Sequence, residues 1–158
     1  MADKLVKTVF LDDLPVEIYE RSQMMWLGSF MAPVVVECFY VLPAPNWPKV
    51  QIRARRGMAK LWYKLGNRAG IMLDDNAFNA AYKVTSADEE FAIMLLGPEL
   101  QAFILKKPTV DWSVGEGSIK LWYKGKLKKR RIGKSLDRLG RFTLCIDEAL
   151  FDWDCQDQ

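Results

Sequence analysis

Between Phe78 and Tyr123 the apolar residues change their spacing, and the change restricts this chain to a fold that mixes helices with antiparallel strands. Phe91, Met94 and Leu95 recur at helical intervals. Ahead of them stands Ser86, a type that caps helix N-termini, with Glu89 three positions on, placed to reach back to the cap's own N–H. Asp88, Glu89 and Glu90 fill the first turn, where the helix dipole favours negative charge. Gly97-Pro98 interrupts the run, because proline lacks an N–H and fits best where a new helix opens. The spacing therefore predicts two short helices, 87–96 and 98–106. Beyond Pro108 the interval becomes two: Val110, Trp112 and Val114 point one way, and after Gly115-Glu116-Gly117-Ser118 so do Ile119, Leu121 and Tyr123. That is a β-hairpin with one buried face, and it puts Trp112 in the core opposite Leu121 or Tyr123.

A chain of 158 residues, half of them hydrophobic, can bury a core as one domain spanning 1–158. Cys38, Cys145 and Cys155 are odd in number and far apart, with no C-x-x-C, which suits free thiols in a reducing compartment and predicts cytoplasmic residence. Histidine is absent, which removes Ser-His-Asp and Cys-His nucleophiles, H-E-x-x-H zinc hydrolysis and imidazole acid–base chemistry. Phosphate-cradling glycine loops and the G-x-S-x-G nucleophile elbow are missing too. Catalysis would have to come from carboxylates holding a metal, at Asp12-Asp13, Asp74-Asp75 or Asp152-x-Asp154, converging in one cleft. Turns and helix caps explain each pair more simply, so no catalytic residue, cofactor or metal ligand is assigned.

Along the chain, Leu5 to Leu11 predicts an edge strand within residues 1–12, followed by a turn or helix start at Asp12-Asp13-Leu14-Pro15. Met24 to Leu42 is apolar enough to suggest a membrane span, but Glu37 lies inside it, Gly28 and Pro33 interrupt it, and Val34-Val35-Val36 and Phe39-Tyr40-Val41 are strand formers. We expect a buried central strand near 33–42, the alternative being an interfacial or membrane-dipping segment. The prolines of Pro43–Pro48 force a loop, which leads to a strand from Val50 to Arg55 whose alternate residues include Arg53 and Arg55. Met58, Leu61, Trp62 and Leu65 follow at helical spacing and stop at Gly66, predicting a helix over 57–65. Lys-Leu-Trp-Tyr-Lys occurs at 60–64 and again at 120–124, with helical flanks in the first copy and alternating flanks in the second. The pentapeptide should therefore adopt two conformations.

From Lys124 to Lys134 run seven cations without an anion: Lys124, Lys126, Lys128, Lys129, Arg130, Arg131 and Lys134. Such a loop can neutralise phosphates of nucleic acid or anionic lipid, with Trp122 free to stack on a base or sit at a membrane interface and Arg53, Arg55 and Arg56 adding charge. The opposing expectation is a solvated loop balanced by Asp147, Glu148, Asp152, Asp154 and Asp157. Ser135 can cap a final helix, 135–150, with Leu136, Leu139, Phe142 and Ile146 on one arc, and 152–158 reads as a frayed acidic tail.

Pro43 and its loop, Phe78-x-x-x-Tyr82-x-Val84, Phe91-Ala92, Leu95-Leu96-x-Pro98, the Trp112 hairpin and the closing helix give the run from about Phe39 to Phe151 a further meaning. The run resembles a bacterial domain-of-unknown-function family found in membrane-associated or cytosolic proteins. The matching positions are packing and turn positions, so the resemblance speaks to fold. Its members often carry transmembrane helices ahead of the domain, and no activity is established for them, so it carries over no catalytic residue.

The expected fold is one α+β domain, an antiparallel sheet of five or six strands with the helices near 57–65, 87–106 and 135–150 packed mainly on one face. The expected function is non-enzymatic binding of a partner, in a bacterial or phage-like protein that is cytoplasmic or peripheral to a membrane. Trp26, Trp47 and Trp153 are candidate exposed anchors, since tryptophan is enriched at interface hot spots. Binding of nucleic acid or an anionic membrane through residues 120–134 is the alternative.

Overall fold

A computed structural model of the chain describes residues 2–108 and 110–153. Among them, seven strands form one antiparallel sheet: β1 (Ala2–Leu11), β2 (Leu14–Leu27), β3 (Phe30–Pro43), β4 (Val50–Ala54), β5 (Tyr82–Ser86), β6 (Asp111–Gly115) and β7 (Ser118–Lys124). Their spatial order is β1-β2-β3-β7-β6-β4-β5. The helices are α1 (Met58–Lys64), α2 (Asn76–Ala81), α3 (Glu89–Leu95), α4 (Pro98–Leu105) and α5 (Lys129–Leu144), with a 3₁₀ turn at Glu148–Asp152. The class is α+β, as the patterning predicts, with more strands than expected. The additions are β5 and β2; in β2, Pro15 and the run of Glu17, Glu20, Arg21, Ser22 and Gln23 hide the alternation of Val16 and Ile18 into the core.

Two tight turns fix the long meander. β1 and β2 meet at Asp12-Asp13, with Asp12 at φ 53°, and β2 and β3 meet at Gly28-Ser29, where Gly28 takes φ 76°, the left-handed value a two-residue hairpin loop needs at its first position. The Trp112 hairpin closes through Glu116 and Gly117, both at positive φ, and pairs Trp112 with Leu121. Trp112 is buried and stacks on Phe142 with centroids 4.3 Å apart, so α5 lies against the same sheet face as the expected core. That face gathers Ile18, Tyr40, Ile52, Val84 and Leu121 beneath Phe91, Leu95, Leu100, Ile104 and Leu139. The opposite face carries Tyr19, Phe39, Trp122, Arg21 and Arg53, and no helix among the described residues lies over it.

Several local expectations need correction. Asp88, not Ser86, caps α3: its carboxylate accepts from the Phe91 N–H at 2.9 Å, while the Ser86 hydroxyl accepts from the Asp88 N–H at 3.1 Å. α2, capped by Asp75, is a helix the spacing does not announce, being one turn and a half of small residues around Phe78. The last helix starts at Lys129 rather than 135, because Ile132 continues the Leu136–Leu139 arc and packs on the core; Ser135 is buried within the helix, its Oγ donating to the Tyr123 hydroxyl. Trp47 is 2 % exposed, donating from Nε1 to the Leu150 carbonyl at 2.8 Å, so the proline loop is tied to the 3₁₀ turn. Trp153 packs edge-on against Phe91, so the chain is still docked at the residue after Asp152; residues 154–158 lie outside the described set. The repeated pentapeptide is helix in α1 and strand in β7.

Candidate functional site

Residues 22–36 carry no charge, and the structure makes them into an arm. β1 pairs with β2 only as far as Ser22, and β7 pairs with β3 only as far as Glu37. Beyond those points β2 and β3 continue alone through five further rungs, Gln23–Val34 to Leu27–Phe30. At about 3.4 Å per residue the two-stranded part is about 17 Å long. The apolar run Met24–Leu42 is thus neither one membrane span nor one buried strand. Its first part is the arm and only Cys38, Phe39, Tyr40 and Leu42 are buried.

Both faces of the arm are apolar. Met24 and Trp26 alternate with Met25 and Leu27, opposite Pro33, Met31, Ala32 and Phe30. Met24, Met25, Trp26, Leu27, Phe30 and Met31 are all exposed, Trp26 to 69 %. A soluble sheet normally turns one face to water and packs the other, and a contiguous apolar patch of this kind marks a contact site. Of these residues the sequence alone points only to Trp26. The usable signal was the absence of charge between Arg21 and Glu37, split by a Gly-Ser turn.

The arm's root is stiffened where it leaves the sheet. Arg21 donates to Asp3 at 2.6 and 2.9 Å and to Glu37 at 3.5 Å, and its guanidinium lies 5.3 Å from the Phe39 ring and 5.0 Å from the Trp122 ring. The hydrogen bond from Arg21 holds the Asp3 carboxyl below its ordinary value. Tyr19, Phe39 and Trp122 stack in a row across β2, β3 and β7. Trp122 does point away from the core, as the alternation predicts, but Phe39 and Arg21 already occupy it.

The basic segment follows at once. Gly125 donates to the Val36 carbonyl at 2.8 Å, so Lys124, Lys126 and Lys128 flank the arm's base. The segment is only half loop: Lys129, Arg130, Arg131 and Lys134 lie in the first turns of α5. Lys124, Lys126, Lys128, Lys129, Arg130 and Lys134 are exposed and have no ion pair among the described residues, while Arg131 lies 5.4 Å from the Tyr123 ring. The balancing carboxylates are elsewhere: Asp147 and Glu148 follow the other end of α5, about 24 Å away for a 16-residue helix.

The three arginines of β4 and its exit separate. Arg53 is exposed on the open face. Arg56 pairs with Asp111 at 3.1 Å. Arg55 is buried, because β4 ends at Ala54 and the chain turns inward. It donates to the carbonyls of Asn79, Tyr82 and Ala69 at 2.9, 3.2 and 3.3 Å and stacks on Tyr63, a structural role rather than a surface one.

α1 reverses another expectation. Tyr63 faces inward, clasped between Arg55 and Arg68, which leaves Met58, Leu61, Trp62 and Leu65 exposed as an outward stripe with Lys60 and Lys64 beside it. β4 runs antiparallel to β6, and β6 to β7, so α1 leaves the sheet at the same end as Lys124 and the arm.

The remaining candidates offer less. No group of three or more His, Cys, Asp or Glu could hold a metal ion among the described residues; Asp12-Asp13 form a turn and Asp75 caps α2. A cleft of about 300 Å³ between Met72–Asp75 and Ile93–Gln101 contains the buried Gln101, whose Oε1 has no hydrogen-bond partner among the described residues while its amide donates to the Leu96 carbonyl. Burial pushes the Cys38 thiol up to about 11, so it is no nucleophile at neutral pH. No helix among the described residues is long and apolar enough to cross a membrane. No family model, no curated protein and no solved structure matches the chain.

Proposed function

We propose that this chain is a non-enzymatic binding protein whose working element is the β2–β3 arm, docked into apolar surroundings supplied by another body. The carrying observation is that the uncharged residues 22–36 project as a two-stranded arm with apolar side chains exposed on both faces. Burying a side chain such as Trp26, Leu27 or Phe30 contributes about 1.5–3 kcal/mol each, and in the isolated chain none of that is realised. The root of the arm is a packed and ion-paired platform, so the arm is presented rather than loose.

Non-ionic detergent micelles supply apolar surroundings without charge and test this reading directly. Wild type should co-elute with micelles in gel filtration. The variant Trp26→Ser/Leu27→Ser/Phe30→Ser/Met31→Ser should elute alone with an unchanged melting temperature, because these side chains touch no core. Wild type that ignores micelles, or a variant that binds them equally, rejects the arm as a docking element.

A further inference from the structure

The docking-arm reading names no partner, but the end of the sheet from which the arm springs does. Resting on that reading, we infer that the partner is the surface of an anionic lipid bilayer. Three elements reached by separate stretches of chain lie at this end of the sheet: the arm, the outward stripe of α1 and the cations of 124–134. Apolar tips set in a cationic surround match a bilayer, whose acyl region lies beneath anionic headgroups.

The charge pattern is polar along the molecule. Asp12, Asp13, Glu89, Glu90, Glu99 and Asp147 all lie at the opposite end, in the β1–β2 turn, the starts of α3 and α4 and the exit of α5. Although the net charge is only +3, an anionic surface attracts one end and repels the other. Exposed apolar residues at the far end, Phe10, Met94 and Leu144 among them, are kept away from the same surface by those carboxylates.

Geometry sets the depth. The outer N–H and C=O groups of a two-stranded arm have no partners and cannot enter the hydrocarbon core, which confines the arm to the interface, about 5–10 Å below the headgroup boundary. From Val36, whose carbonyl accepts from the Gly125 N–H, to Phe30 at the turn, β3 runs seven residues, about 24 Å. With about 10 Å inserted and about 6 Å of headgroup layer, the cations stand about 8 Å from the surface, one Debye length at physiological salt. Tilt toward α1 brings them closer. A second copy of the chain fits worse, since arm-to-arm contact would bring two unpaired cationic segments together. Nucleic acid would leave the arm uncovered.

Vesicle co-sedimentation tests the inference, using phosphatidylcholine alone and phosphatidylcholine with 30 % phosphatidylglycerol. At about one Debye length each cation contributes about twofold to partitioning, so Lys128→Ser/Lys129→Ser/Arg130→Ser should bind the anionic vesicles roughly five- to tenfold more weakly and neutral vesicles unchanged. Trp62→Ser/Leu65→Ser in α1 should weaken binding to anionic vesicles by tenfold or more while micelle binding through the arm persists. Equal partitioning onto neutral and anionic vesicles, or full binding by the cation variant, would overturn the inference while leaving the docking arm intact. So would salt-sensitive binding of an oligonucleotide tighter than of vesicles, or concentration-dependent dimerisation that removes micelle binding. Loss of micelle and vesicle binding together would reject both readings.

Discussion

Lys128 holds the N-cap position of α5 with φ −111° and ψ 118°, the extended geometry of a capping residue, yet no side chain caps the helix and no acid stands in its first turn. Lys129, Arg130 and Arg131 instead place positive charge against the positive end of the helix dipole. The Arg131 N–H already donates to the Lys128 carbonyl at 2.8 Å, so Lys128→Asp should supply its carboxylate to the Arg130 N–H, worth about 1 kcal/mol. Replacing a cation by an anion at this exposed helix start adds about 0.5–1 kcal/mol more. The sum, about 1.5–2 kcal/mol, should raise the melting temperature by about 3–8 °C, at the 2–4 °C per kcal/mol expected for a domain of this size. Lys128→Asn separates the terms: it caps without charge, so its gain should be about 1 kcal/mol and insensitive to salt, whereas the extra gain of Asp should shrink in 1 M NaCl. Calorimetry at low and high salt, with urea unfolding as a check on m, measures both. An Asp variant that melts at or below wild type, or Asp and Asn variants that coincide at low salt, would refute the argument that these cations are held at a cost to folding.

Trp112→Ala should destabilise by about 3–5 kcal/mol in urea unfolding, because the ring is buried against Phe142 and its removal leaves a cavity between sheet and α5. Arg55→Ala should cost about 2–3 kcal/mol, since three carbonyls lose a charged donor and Tyr63 loses its stacking partner; the same measurement shows it. Native Cys38 should resist iodoacetamide at pH 8 and react appreciably only as the pH nears about 11 or the protein unfolds, as mass spectrometry of timed samples would show. Arg21→Ala should let the Asp3 carboxyl rise toward 3.8, followed by NMR titration; in wild type this contact contributes above that value and is lost as pH falls through the lowered folded-state pKa.

The parts of the fold legible in the sequence are those where one residue type can serve one purpose. The Trp112 hairpin shows itself because Gly117 sits where a positive φ is needed and the alternation on either side is strict. The start of α5 was misplaced because Ser135 is a cap by type and a buried donor in fact, whereas Lys129 and Arg130 start a helix only because Ile132 finds the core. The basic segment was legible, but not its lack of counter-charges, which depends on the direction of α5. Arg55 could not be told from Arg53 by alternation, since the strand ends between them. The arm escaped for a related reason. Strand formers such as Val34–Val36 look the same whether both neighbours continue beside them or stop, and where β1 and β7 stop is a matter of other segments.

That β7 holds β3 has a consequence for the order in which the protein is made. The arm and its meander are complete by Pro43, but the strand that pins them is synthesised roughly 75 residues later, a delay of about 4–15 s at ordinary rates of translation. Throughout that interval β3 presents an unpaired edge beside the most apolar segment of the chain, and a two-stranded ribbon of this kind is an open template for other nascent strands. Until β7 is made, the arm's apolar faces and the open edge of β3 are therefore exposed together on the same ribbon.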